Sequence, residues 1–227
     1  MSAELGTVEA VIFDLDGLII DSETPEVLAW QAVYAGYGME FPVASWLENV
    51  GRNDRPWDPL APFRAPGSPA APEAVAALWR ERADALMAVS FTPLPGVVPL
   101  LSALRQRGTR TAVASSSRRA WIQTVLGRLG LERQFDAAAG GDEVRRAKPE
   151  PDVYLLAARR LGAAPEACVA LEDSQNGVRS AKAAGMACIA VPSPLTRQLD
   201  FSAADLVVGS LHEVTPETIA TLGPAKA

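Results

Sequence analysis

Histidine occurs once in these 227 residues, as His212 near the C-terminus, and cysteine twice, as Cys168 and Cys188. A single imidazole outside any motif leaves catalysis by a Ser-His or Cys-His pair without a candidate base. Both cysteines lie inside short apolar runs, ACVAL and ACIAV, so they read as small buried hydrophobes, not as a disulfide or a metal pair. No stretch approaches the ~20 apolar residues of a membrane span. The first ten residues are partly acidic and hold no apolar signal core, so the expectation is a cytoplasmic protein without a membrane partner. Positive charge is also scarce. The 21 Lys and Arg stand against 27 Asp and Glu, and the net −6 repels a polyanion, which counts nucleic acid out as a partner. The basic clusters Arg118-Arg119 and Arg145-Arg146-Lys148 are short enough to be solvated surface.

What is present is a chain of ordinary globular composition, 48% apolar and 21% charged. Uniformly apolar runs at Val8 to Phe13, Thr111 to Ala114, Cys168 to Leu171, Cys188 to Val191 and Leu206 to Val208 read as strands buried on both faces. Between them Ile122, Val125, Leu126 and Leu129 repeat at helical spacing ahead of Gly130, Tyr154, Ala157, Ala158 and Leu161 ahead of Gly162, and Leu100, Leu101 and Leu104 ahead of Gly108. The alternation predicts an α/β fold with a doubly wound, Rossmann-like parallel sheet. Residues 24–93 break the pattern. They lack β-branched runs, hold four of the five tryptophans and carry a Pro-rich middle between Pro56 and Pro72, which predicts an inserted α-helical cap domain on a core of 1–23 and 94–227. The stretch 57–71 is expected to be a loop or a short surface crossing.

The polar residues cluster where these strands end. Val11-Ile12-Phe13 runs into Asp14-Leu15-Asp16-Gly17, two carboxylates two residues apart on one side of an extended chain. Such a pair calls for a hard cation, a shared proton or both; an Asx turn closed by Gly17 would account for the short segment as well. The second strand ends in Ser115-Ser116-Ser117, hydroxyls and amides suited to a phosphate, although Ser117 would also serve as a helix cap. Lys148 stands just before Pro149, where a helix starts, and the third strand runs into Glu172-Asp173-Ser174. Ligands of such sheets bind at the carboxyl ends of the strands, so the four segments together describe an ion site for a phosphate.

Four motifs, DLDGLIIDSE at 14–23, ASSS at 114–117, GDEVRRAKPEPDVY at 141–154 and LEDSQNGVRSAKAAGM at 171–186, resemble those of the haloacid dehalogenase-like hydrolases, in the subgroup of β-phosphoglucomutase and the sugar-phosphate phosphatases. That resemblance implies Asp14 as nucleophile and Asp16 as general acid and base. It implies Ser115 and the Ser116 amide as phosphate-binding groups, and Lys148 as the balancing cation. It also implies Mg²⁺ held by the Asp14 carboxylate, the Asp16 backbone carbonyl, Glu172 and Asp173. The implied activity is hydrolysis of a small phosphorylated metabolite, a sugar phosphate, by a monomer or weak homodimer. Asp16 argues against carbon–halogen cleavage, which dispenses with a second aspartate. Glu26 stands where the resembled mutases have a histidine, which lowers the mutase alternative. A non-catalytic phospho-acceptor module is the remaining alternative, disfavoured by the inserted segment. In the cap, Arg52, Arg55 and Trp57 are candidates to face the substrate.

Overall fold

A computed structural model describes residues 7–52, 56–89 and 91–224, so that Arg55 and residues 1–6, both read above, lie outside it. Six strands form one sheet: β1 (Ala10–Phe13), β2 (Arg110–Ser115), β3 (Ala137–Gly140), β4 (Cys168–Glu172), β5 (Ala187–Ala190) and β6 (Leu206–Val207). Their order is β3-β2-β1-β4-β5-β6, and every pairing is parallel. Side chains alternate across the sheet. Val11 and Phe13 join one apolar cluster with Leu100, Leu101, Ile122 and Val125, whereas Ala10 and Ile12 join another with Val153, Ala157, Val178 and Ala181. Cys168 and Cys188 are free thiols buried in the second cluster, as their apolar neighbours predicted.

The five expected strands are all present, with ends shifted by a residue or two, and β3 is an addition. Its sequence is Ala137-Ala138-Ala139-Gly140, which has no β-branched or aromatic residue to signal a strand. Pairing with β2 makes it one, because Ala112 to Ser115 offer it a ready ladder.

Four helices follow β1 within residues 23–89: α1 (Glu23–Gly36), α2 (Val43–Leu47), α3 (Ala61–Arg64) and α4 (Pro72–Val89). They enclose an apolar cluster of their own, with Val27, Trp30, Tyr34, Phe41, Trp46 and Val75 among its buried members. Trp30 is its hub, stacked on Trp79 at 4.9 Å between ring centroids and meeting the Tyr34 ring edge-on at 6.2 Å. The Pro-rich stretch is less open than expected. Its short helix α3 carries Phe63, 2% exposed, against the edge of the Tyr34 ring, and the Tyr34 hydroxyl donates to the Pro59 carbonyl at 2.6 Å. An apolar anchor thus overrides what proline content alone suggests.

The remaining helices are α5 (Val97–Gln106), α6 (Arg119–Leu129), α7 (Asp152–Leu161), α8 (Gln175–Ala183) and α9 (Pro216–Ala220). Residues of α5, α6 and α9 cover one face of the sheet, and those of α7 and α8 the other. Strand β1 has β2 on one side and β4 on the other, and the chain reverses its winding between β1 and β4. A crevice must open at the carboxyl ends of those two strands. Among the described residues no helix is long and apolar enough to cross a membrane.

Candidate active site

Asp14 follows β1 directly, and its amide donates to the Leu171 carbonyl at 3.0 Å, which seats it beside the end of β4. Glu172 and Asp173 leave β4 at the same level, so two sequence-distant acidic segments meet through strand pairing alone. One oxygen each from Asp14, Glu172 and Asp173 lie within 4.8 Å of one another, and all three side chains are buried.

Lys148 enters this group from the segment before α7. It is 2% exposed, and its ammonium donates to the Asp14 carboxylate and, at 2.5 Å, to Glu172 Oε1. Glu172 is saturated with donors. Tyr154 reaches Oε1 at 2.7 Å, while Oε2 accepts from the Asp173 amide at 3.1 Å, the Ser174 amide at 3.3 Å and the Ser174 hydroxyl at 3.2 Å. Burial opposes the Lys148 charge, yet Asp14 and Glu172 together outweigh it and raise its pKa above the ordinary lysine value. One ammonium does not neutralise the whole group. Burial is the main cause that pushes Asp14 up to about 8, with the Lys148 charge pulling the other way and Glu172 and Asp16 adding to the rise. Burial and the charge of Glu23 likewise hold Asp173 well above the usual carboxylate range.

Asp173 Oδ2 is buried and accepts no hydrogen bond. Gly17 makes room for it: the residue has φ +87°, and a Cβ there would lie 2.0 Å from that oxygen. An orphaned carboxylate oxygen beside two more carboxylates is a hard-oxygen donor set suited to a small divalent cation, and unfavourable without one.

Asp16 has different company. Its carboxylate accepts from Ser22 Oγ at 2.8 Å, Ser117 Oγ at 2.7 Å, Ser115 Oγ at 3.2 Å and the Trp121 indole N–H at 3.0 Å. Both aspartates open onto one cavity of about 370 Å³, but they are held by separate sets of partners. The Asp16 side chain is not among the three clustered carboxylates; the sequence reading assigned the cation its backbone carbonyl instead.

The other expected residues also reach this cavity. Ser115 is buried at the end of β2, and its hydroxyl oxygen accepts the Ser117 amide at 2.9 Å. Ser116 lines the cavity too, with its hydroxyl donating to the Gly51 carbonyl at 2.7 Å. Arg52, Trp57 and Glu26 lie on its wall. Ser117 binds Asp16 by its side chain, and Arg118 occupies the cap position of α6. His212 is exposed in a short turn outside the cavity lining.

Several cavity residues carried no signal in the sequence. Trp46, Trp79, Arg80 and Trp121 come from helices whose facing residues only folding brings together. Glu23 was visible in the DSE segment, yet not its position: it is 8% exposed, its Oε2 has no hydrogen-bond partner, and burial and Asp14 raise its pKa well above the carboxylate range.

With this geometry in place, comparison with known proteins decides the family. The chain matches the haloacid dehalogenase-like hydrolase family over residues 8–185. It belongs to that family. It is 36% identical over 216 residues to hexitol phosphatase B of Escherichia coli K12, covering 92% of this chain and 96% of that protein. It is 33% identical over 183 residues to the fructose-1-phosphate phosphatase YqaB of the same organism, covering 80% and 95%. A crystal structure of a CbbY mutant from Rhodobacter sphaeroides, in complex with xylulose-(1,5)bisphosphate, superposes with TM-score 0.71 at 31% identity, covering 91% of this chain and 96% of that one. The haloacid dehalogenase-like chain described here is an enzyme, a phosphoric monoester hydrolase of this family.

Proposed function

We propose that the chain is a Mg²⁺-dependent phosphatase of sugar phosphates that works through an aspartyl phosphate on Asp14, with residues 24–93 as its cap. One observation carries this reading: two aspartates share one cavity, Asp14 set against Lys148 and the acidic pair, and Asp16 held by three hydroxyls and an indole. Two carboxylates with such different partners are equipped for two roles.

An Asp14 oxygen attacks phosphorus, the bond from phosphorus to the sugar oxygen breaks, and Asp16 donates its proton to the departing alkoxide. Asp16, now a carboxylate, takes a proton from a water that attacks the phosphoryl group, and the bond to Asp14 breaks to release inorganic phosphate. The Ser115 hydroxyl and the Ser116 amide hold phosphoryl oxygens, and Lys148 offsets their charge while keeping Asp14 oriented. Asp14, Asp173 and Glu172, with the Asp16 carbonyl, would hold Mg²⁺, whose charge offsets the remaining phosphoryl oxygens. Glu172 also fixes Lys148, whose ammonium donates to its Oε1 at 2.5 Å. Relatives named for hexitol phosphate and fructose 1-phosphate support a carbohydrate leaving group.

Turnover tests this directly. With MgCl₂, the protein is expected to release phosphate from p-nitrophenyl phosphate and, with higher kcat/KM, from at least one member of a sugar-phosphate panel. No release from any of them between pH 5 and 9 would overturn the reading. β-Glucose 1-phosphate given with its bisphosphate is expected to yield free phosphate; conversion to the 6-phosphate would establish a mutase despite Glu26.

The cation makes a separate prediction. A carboxyl whose folded pKa is raised stabilises the fold fully below its unfolded pKa, near 4, and that contribution is lost as pH rises to the folded value. For Asp14 the window runs from about pH 4 to about 8, so the magnesium-free protein loses stability from this group across it. Mg²⁺ must displace these protons to bind. Thermal melts are therefore expected to show a larger rise in Tm on adding MgCl₂ at pH 8 than at pH 5; equal shifts at the two pH values would count against a cation on these carboxylates.

A further inference from the structure

The turn that carries Arg52 is tied down by side chains from the start of α8 and from the residue after β2. Asn176, in the first turn of α8 and 5% exposed, donates from Nδ2 to the Val50 carbonyl at 2.8 Å and to the Glu48 carbonyl at 3.2 Å. Ser116, beyond β2, donates to the next carbonyl, that of Gly51, at 2.7 Å. The turn can descend this far because Gly51 has φ +76°, and a Cβ there would lie 2.3 Å from Ser174 Oγ. Ser174 in turn donates to Glu172 and accepts the Gly177 amide at 3.0 Å, so the turn rests on the same acidic edge that holds Lys148.

We propose that Asn176 is a positioning residue, which holds the 48–52 turn, and with it Arg52, over the phosphoryl site. An asparagine amide brings two N–H groups on a short side chain, enough to serve two carbonyls at once. Neither alanine nor leucine has a donor to replace them, so the buried Val50 carbonyl and the part-buried Glu48 carbonyl would each lose a partner. The turn's internal bonds, from the Val50 amide to Leu47 at 3.2 Å and from the Arg52 amide to Asn49 at 3.1 Å, would remain as its own restraint. Asn176 touches no reacting atom. Its effect passes through Val50, Gly51 and Arg52, which line the same cavity as the two aspartates, and this kinetic consequence rests on the function proposed above.

Hydrogen exchange followed by mass spectrometry tests the anchor without reference to activity. In Asn176→Ala, and in Asn176→Leu as a variant that keeps the branched shape without the donors, amides of the 47–52 segment are expected to exchange roughly tenfold faster, the scale of one net hydrogen bond or a little more, while those of β1 keep their protection. Unchanged exchange in the segment overturns the proposal. Kinetics supply the second arm. KM for fructose 1-phosphate is expected to rise at least about fivefold, whereas the inhibition constant of inorganic phosphate, which needs only the core residues, moves less than about twofold. A parallel rise of both constants would overturn it, since Asn176 would then serve the acidic edge itself. If the unaltered enzyme turns over none of the probes, it is the proposed function that fails, and exchange alone decides the anchor.

Discussion

Asp14→Asn is expected to lower kcat for p-nitrophenyl phosphate and for sugar phosphates by at least about a thousandfold, while the protein stays folded and melts cooperatively. The substitution keeps the shape of the side chain and exchanges one oxygen for an amide nitrogen, so the site loses its proposed nucleophile and little else. Lys148 keeps its 2.5 Å bond to Glu172 and still finds an oxygen at position 14. The magnesium-free variant should be no less stable than its parent at pH 8, because a buried carboxyl with its pKa pushed up to about 8 has been replaced by a group that never ionises. Steady-state kinetics and thermal melts check both halves. Residual turnover above about a tenth of the parent's would remove Asp14 as nucleophile, since no other change to the site would account for survival.

Lys148→Met is expected to destabilise the protein by about 3 to 5 kcal/mol, the usual cost of leaving a buried charge without its partner, and to lower kcat by at least about a hundredfold. Methionine fills similar volume but leaves Asp14 and Glu172 facing each other with no ammonium between them. Lys148 is among the influences that lower the Asp14 pKa, so its removal raises that pKa further. The sign of the pH dependence follows. A proton can take the place of the lost cation at pH 5 but less readily at pH 8, so the deficit in stability grows as pH rises. Adding Asp14→Asn to Lys148→Met should recover part of the loss, because the uncompensated carboxylate is gone; strictly additive effects in that cycle would mean that the two side chains do not depend on each other.

Several of the candidate site residues were legible because they end apolar runs. Asp14, Ser115 and Glu172 all terminate strands whose buried residues announce themselves by composition, and a parallel sheet puts such ends on one edge. The helices with strong apolar spacing were legible for the same reason. Strand β3 was not, since three alanines and a glycine carry no preference that survives without a neighbouring ladder. Nor was the seating of Phe63, because proline content speaks for the backbone and says nothing of what a side chain finds to bury against.

The cavity wall was the least legible part. Arg52 and Trp57 were reachable because a guanidinium can grip an anion and an aromatic ring can stack on a sugar, but Trp46, Trp79, Arg80 and Trp121 look in sequence like any other helix residues. The same holds for Asn176, whose short amide beside Gly177 reads as helix-start chemistry until its carbonyl partners, 126 and 128 residues away, are known.

The amino-acid sequence determined by itself which residues carry charge and hydroxyls at the strand ends, because local apolar periodicity decides where strands stop. Tertiary structure alone decided the pairings: Lys148 against both Asp14 and Glu172, Asp16 with hydroxyls from two segments, and an orphaned Asp173 oxygen over Gly17. The hydrogen bonds among them join residues up to 134 positions apart, and the electrostatics of a buried group depend on such neighbours in space, which no local pattern records.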